Sequence, residues 1–101
     1  MSSSEREFQS PRASAASVTD DSLVIDLVDG RTISAPLAWY PRLVHATPAE
    51  REDFTLIGEG TGIHWPQLDE DISVAGILAG LPSGESQRSL QDWLRDRGRA
   101  S

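Results

Sequence analysis

From Ser22 to Leu27 the chain alternates like an extended strand with one buried face: Leu23, Ile25 and Leu27 fall on one side and Asp26 on the other. β-Branched residues fill the run, and Asp29-Gly30 follows it as a two-residue turn. This predicts a hairpin whose return strand is Arg31-Thr32-Ile33-Ser34-Ala35, with Ile33 and Ala35 inward and Thr32 and Ser34 outward. A hairpin with one apolar face needs cover. Pro36 to Ala46 supplies it, with Leu37, Tyr40 and Val44 on one helical stripe that Trp39 and Leu43 extend. Pro41 interrupts the run, so a short turn at 37–40 should precede a helix that starts at Pro41.

Thr47-Pro48-Ala49-Glu50 has the spacing of a capping box, in which hydroxyl and carboxylate each accept from the other residue's amide. A helical turn through Asp53 follows. Phe54-Thr55-Leu56-Ile57 and Gly62-Ile63-His64-Trp65 then form a second predicted hairpin around Gly58-Glu59-Gly60-Thr61, closed by Pro66. Ile72 and Ile77 flank Ser73 at the spacing of a hydrophobic staple, which makes Ser73 an N-cap and lets Asp71 add favourable charge near the helix start. Gly80 and Pro82 end that helix.

Beyond the polar linker Ser83-Gly84-Glu85, a last helix capped by Ser86 carries Leu90, Trp93 and Leu94 on one stripe, with Arg95 and Arg97 near its end. The expected fold class is α+β: two β-hairpins forming a small antiparallel sheet with short helices, in the order β-β-α-β-β-α, plus a C-terminal helix. Residues 1–17, rich in Ser and Ala without an apolar core, read as a disordered tail. Residues 18–81 read as the domain and residues 82–101 as linker and amphipathic helix. A domain of that size buries only about 60 % of its unfolded surface. A partner or a second copy, as a homodimer, would add to it.

Composition narrows the chemistry. The chain has no lysine and no cysteine, which excludes Schiff-base and phosphate-loop lysines, thiolate nucleophiles, thiolate–metal sites and disulfides. Its net charge of −7 is uneven. Residues 18–81 hold eleven acids against three arginines, a net −8, whereas residues 82–101 hold four arginines against three acids. A core of that sign repels phosphate backbones, so nucleic acid is not expected to bind the core alone. It suits either plain solubility or a basic partner protein. No segment resembles a signal peptide or a membrane span, which points to the cytoplasm.

No candidate catalytic, cofactor or metal constellation emerges. His45 and His64 stand 19 positions apart with no ligand-type spacing to Asp69, Glu70 and Asp71. His45 reads as a helix end and His64 as the outer face of a strand without an orienting partner. Gly58-Glu59-Gly60-Thr61-Gly62 looks superficially like a phosphate loop, but Glu59 places negative charge where the phosphate would sit. Its glycines suit a turn with positive φ. Trp39, Tyr40 and Trp65 read first as core or near-core residues, and Trp39 and Trp65 also as candidates for an aromatic interface.

Pro36-Leu37-Ala38-Trp39-Tyr40-Pro41-Arg42-Leu43, the cap Ala46-Thr47-Pro48-Ala49-Glu50-Arg51, the string Ile57-Gly58-Glu59-Gly60-Thr61-Gly62-Ile63-His64-Trp65-Pro66 and the run Leu68-Asp69-Glu70-Asp71-Ile72-Ser73-Val74 together resemble the 2442 family of bacterial domains of unknown function, over about residues 17–81. The resemblance implies a small α+β fold and a setting beside a second small protein, in pairs of toxin–antitoxin type. Some longer relatives append a helix-turn-helix, for which residues 82–101 leave no room. The expectation is a non-enzymatic protein–protein interaction module, the antitoxin-like member of a two-gene pair, meeting a small basic partner encoded nearby. Its candidate interface is Trp39, Trp65, Asp69, Glu70, Asp71, Leu90, Trp93 and Leu94. The alternative is a transcription-regulatory protein that binds nucleic acid as an oligomer or with a partner.

Overall fold

The structure, a computed structural model, describes residues 10–100. Strands β1 (Ala13–Val18), β2 (Ser22–Leu27) and β3 (Thr32–Pro36) form one antiparallel sheet in that order. A 3-10 turn over Leu37–Trp39 leads to helices α1 (Pro41–Val44) and α2 (Pro48–Glu52). Strands β4 (Thr55–Ile57), β5 (Gly62–Trp65) and β6 (Glu70–Ser73) make a second antiparallel sheet, followed by α3 (Val74–Leu78) and α4 (Gln87–Ala100). The class is α+β, with two three-stranded sheets where two hairpins were expected.

Each added strand is an edge strand whose own composition is weak. β1 is Ala-Ser-Ala-Ala-Ser-Val, a string that reads as disordered tail; it is ordered by pairing with the strongly apolar β2, from Ala13 opposite Leu27 to Val18 opposite Leu23. The domain therefore begins by Ala13, not residue 18, and residues 1–9 of the expected tail lie outside the described residues. β6 takes Glu70 and Asp71, the latter expected beside a helix start, into a ladder with β5, pairing Trp65 with Glu70 and His64 with Asp71.

The first hairpin has the predicted alternation, with Leu23, Ile25 and Leu27 buried and Asp26 exposed, its carboxylate accepting from the Thr32 hydroxyl at 2.8 Å. Its turn is one residue longer than expected: the Leu27 amide donates to the Arg31 carbonyl across a three-residue loop that ends in Gly30 at φ +96°. Pro41 begins a new helix, as anticipated, and this turns Leu43 inward while Val44 faces out. The Thr47 capping box forms in full, and Ser73 caps α3 through the Gly76 amide.

One apolar core joins both sheets. Leu23, Ile25, Leu27, Leu37, Tyr40 and Leu43 meet Ile63, Trp65, Leu68, Ile72, Val74 and Ile77. The turn between β4 and β5 closes on the start of β1, because a Cβ on Gly60 (φ +94°) would stand 2.4 Å from the Ala13 carbonyl oxygen. Gly60→Ala combines a left-handed backbone with a clash against main chain, so it should cost about 2–3 kcal/mol in urea unfolding. A loss within about 0.5 kcal/mol would show that this turn does not hold β1 in place.

Candidate functional site

Tyr40, Arg42 of α1, the turn and strand from Asp69 to Ser73, α3 and the segment Leu81–Glu85 enclose a cleft of about 420 Å³. The sequence builds its walls locally. The 3-10 turn delivers Tyr40 to the core edge, Pro41 fixes the start of α1, and past the end of α3 at Leu78 the φ of +76° at Gly80 lets the chain fold back over the cleft. Leu81, Ile77 and Pro82 give it an apolar side.

Arg42 organises one end. Its Nε and Nη2 form a fork on the Glu85 carboxylate at 2.7–3.0 Å, and Nη1 donates to the carbonyls of Leu68 and Asp69 at 2.9 and 3.2 Å. The Ser89 hydroxyl adds a 2.8 Å hydrogen bond to Glu85. These bonds, those from Arg42 first, hold the Glu85 carboxyl below its ordinary pKa.

Glu70 differs. It is half-buried, one of its oxygens is sequestered without a hydrogen-bond partner, and desolvation raises its pKa against the opposing pull of Arg42. The Tyr40 hydroxyl is likewise buried and unpartnered, and burial followed by the nearby Glu70 charge raises its pKa. Two residues that line one cleft thus each bury a polar atom with no partner among the described residues, at an expected cost of about 1–3 kcal/mol apiece.

The remaining expected residues are dispersed. Asp69 is exposed at φ +51°, and Asp71 is exposed and paired with His64 Nδ1 across β5 and β6, which gives His64 the orienting partner its sequence context did not show. Asp71 therefore serves the sheet rather than the start of α3. Thr55 stands opposite His64 on β4, and the side-chain hydrogen bond that His64 makes among the described residues is the one to Asp71. Trp65 is fully buried, donates from Nε1 to the Arg51 carbonyl at 3.0 Å and packs on Phe54, so it belongs to the core and not to an exposed interface. Trp39 is half-buried and accepts at its carbonyl from the Ser83 amide. Among the described residues no three His, Asp or Glu side chains converge on a metal-sized site.

The C-terminal stripe docks on its own chain. Trp93 packs against the core with the Arg42 and Arg97 guanidinium groups over its ring at 5.0 and 4.6 Å, while Leu90 and Leu94 are partly buried. Arg97 forms a second fork, on Glu50, at 2.8 and 2.9 Å. That fork and the Thr47 amide bring the Glu50 carboxyl down to about 2. Because the folded value is depressed, the contribution is present above the ordinary 4.5 and is lost as pH falls from there to about 2. Acid titration should release α4 over that window, visible in the NMR signal of the Trp93 indole N–H, and Glu50→Gln should weaken docking at neutral pH and flatten the transition. An unchanged titration in Glu50→Gln would assign the release to another carboxylate.

With this geometry in place, the family model for proteins of unknown function designated DUF2442 matches residues 13–83. The chain belongs to the DUF2442 family. The match begins at the first residue of β1 and ends in the segment over the cleft, so the DUF2442 unit contains both sheets and most of the cleft, while α4 lies outside it. This DUF2442 chain is similar to a crystal structure of a protein of unknown function from Rhodospirillum rubrum, at 28 % identity and TM-score 0.67, covering 78 % of this chain and 98 % of that one. It also shares its fold with an uncharacterised protein from Chromobacterium violaceum solved by NMR, at 20 % identity and TM-score 0.63, covering 87 % of this chain and 79 % of that one. Among curated proteins no sequence matches. No helix among the described residues is long and apolar enough to cross a membrane.

Tyr40, Arg42 and Glu85 are cleft residues that sequence reasoning did not assign to a candidate site. Arg42 and Glu85 lie 43 positions apart, and no local pattern couples them. The available signal was scarcity, since Arg42 is one of three arginines among eleven acids in residues 18–81 and sits between Pro41 and Leu43, beside the apolar stripe.

Proposed function

We propose that this DUF2442 chain is a non-enzymatic, cytoplasmic binding module that receives the basic surface of a small partner protein on the face carrying the cleft, as the antitoxin-like member of a two-gene pair. The observation that carries it is the cleft itself: Asp69, Glu70 and Asp71 are among its lining residues, Arg42 is already matched by Glu85, and Tyr40 and Glu70 each bury a polar atom without a partner. Docked α4 frames the face rather than acting as a free recognition helix, because Trp93 and Arg97 are engaged within the chain. Of the four C-terminal arginines on which the nucleic-acid alternative rests, Arg95 and Arg97 are each paired with a carboxylate.

Co-expression with the product of the adjacent reading frame, followed by purification through a tag on one protein, tests the proposal. The expected result is a stoichiometric complex that dissociates progressively with added salt. Separate elution of the two proteins at low ionic strength would overturn it.

A further inference from the structure

We propose that the cleft is a recognition site for a single organic cation, an ammonium or guanidinium head group on an aliphatic stem, with the head received by Glu70 and Tyr40 and the stem lying along Ile77, Leu81 and Pro82. The proposal deepens the binding role set out above and rests on it.

Charge supplies the first part of the case. The charged side chains lining the cleft are Arg42 against Asp69, Glu70, Asp71 and Glu85. The Arg42–Glu85 fork is closed on itself and Asp71 pairs with His64 on the outer sheet face, so the field left over in the cleft is that of Asp69 and Glu70. An anion is disfavoured there and a cation is drawn in.

The second part is independent of that charge. Tyr40 is 2 % exposed and its hydroxyl has no hydrogen-bond partner, as does one oxygen of Glu70. Buried polar groups in folded proteins are ordinarily satisfied, and two residues of one cleft that each bury an unpartnered oxygen mark a place where a partner group belongs. The chemistries of the two atoms narrow the ligand. A carboxylate oxygen only accepts, and a phenol oxygen also accepts, so a head group with several N–H donors serves both at once. Glu70 is only half-buried as a residue, so rotation of its side chain turns the free oxygen into the cleft without moving β6.

The third part is the apolar wall. Leu81 is 61 % exposed at the cleft rim beside Pro82 and the buried Ile77. Methylene groups lie readily along such a surface while their charged end reaches a polar partner. Lysine and arginine side chains have this form, and so does a free alkylamine.

Two-dimensional NMR of the full chain separates these sources. The probes are N-acetyl-lysine-methylamide, N-acetyl-arginine-methylamide and butylamine, with N-acetyl-citrulline-methylamide as the uncharged control. Saturable shifts confined to the amides of residues 69–73 and 81–85, with the charged probes at least tenfold tighter than citrulline, are expected. Glu70→Gln and Tyr40→Phe should each weaken the charged probes several-fold. Both variants should fold, because Tyr40→Phe removes no hydrogen bond and Glu70→Gln keeps an acceptor oxygen for the Asp71 amide. Saturation by the blocked amino acids assigns the site to a partner's side chain, whereas saturation by butylamine alone assigns it to a free amine and removes the partner-protein role. Linear shifts with every probe, equal binding of citrulline, or unchanged affinity in both variants would overturn the cation site and leave water as the partner of the two oxygens. If the neighbouring protein instead co-purifies equally well with wild type, Glu70→Gln and Tyr40→Phe, the binding module stands and the cleft proposal falls.

Discussion

Trp65→Ala should remove about 3–5 kcal/mol of stability, a large share of the roughly 5–15 kcal/mol available to a domain of this size. The residue is fully buried at the end of β5, where three separate interactions converge. Its ring meets Phe54 at a centroid distance of 5.9 Å, its indole N–H satisfies the Arg51 carbonyl, and its backbone pairs with Glu70 in the β5–β6 ladder. Alanine leaves a cavity between the sheets and an unpaired carbonyl at the end of α2. Trp65→Phe keeps most of the volume and loses only the donor, so it should cost about 1–2 kcal/mol. Urea denaturation followed by circular dichroism measures both. If Trp65→Ala lost less than about 1 kcal/mol, Trp65 would be a replaceable surface ring and the aromatic-interface expectation would regain its footing.

The same residue shows what the sequence could disclose. A Val/Ile/Leu-rich run such as β2 carries its own alternation, and capping residues such as Thr47, Glu50 and Ser73 act within three or four positions, so hairpin, helix starts and caps were legible from local pattern. β1 was not, because Ala and Ser contribute little strand preference and the pairing that orders them comes from β2. β6 was hidden differently: Glu70 and Asp71 look like solvated cap residues until Trp65 and His64 stand opposite them. The candidate site divides along that line. The acids at 69–71 were visible as composition, whereas the Arg42–Glu85 fork, the orphan Tyr40 hydroxyl and the docking of Trp93 depend on contacts between residues far apart in the chain.

Arg42→Ala should undock α4 while leaving both sheets folded. Arg42 ties together three pieces: it forks onto Glu85 before the helix, donates to the Leu68 and Asp69 carbonyls in the β5–β6 turn, and lies over Trp93 on the helix itself. Its side chain and that of Glu85 are only 14 % and 9 % exposed, so the pair is largely withdrawn from water and loss of one member strands the other. Stranding a buried charge costs about 3–5 kcal/mol. Here the chain has a cheaper response, which is to release α4 and let Glu85 rehydrate. Against that release stand the Arg97–Glu50 fork and the packing of Trp93 on the core. Hydrogen exchange should accelerate by about a hundredfold or more through residues 87–98, corresponding to about 3 kcal/mol of lost local protection, while β2 and β5 keep theirs. Arg42→Lys keeps the charge but not the planar fork, so it should fall between the two. A folded Arg42→Ala protein with wild-type protection in α4 would refute the clamp. Removal of Arg42 from the cleft lining also leaves its acids less compensated, so the organic-cation probes should bind this variant no more weakly, and any rise in affinity comes from the same charge whose loss frees the helix.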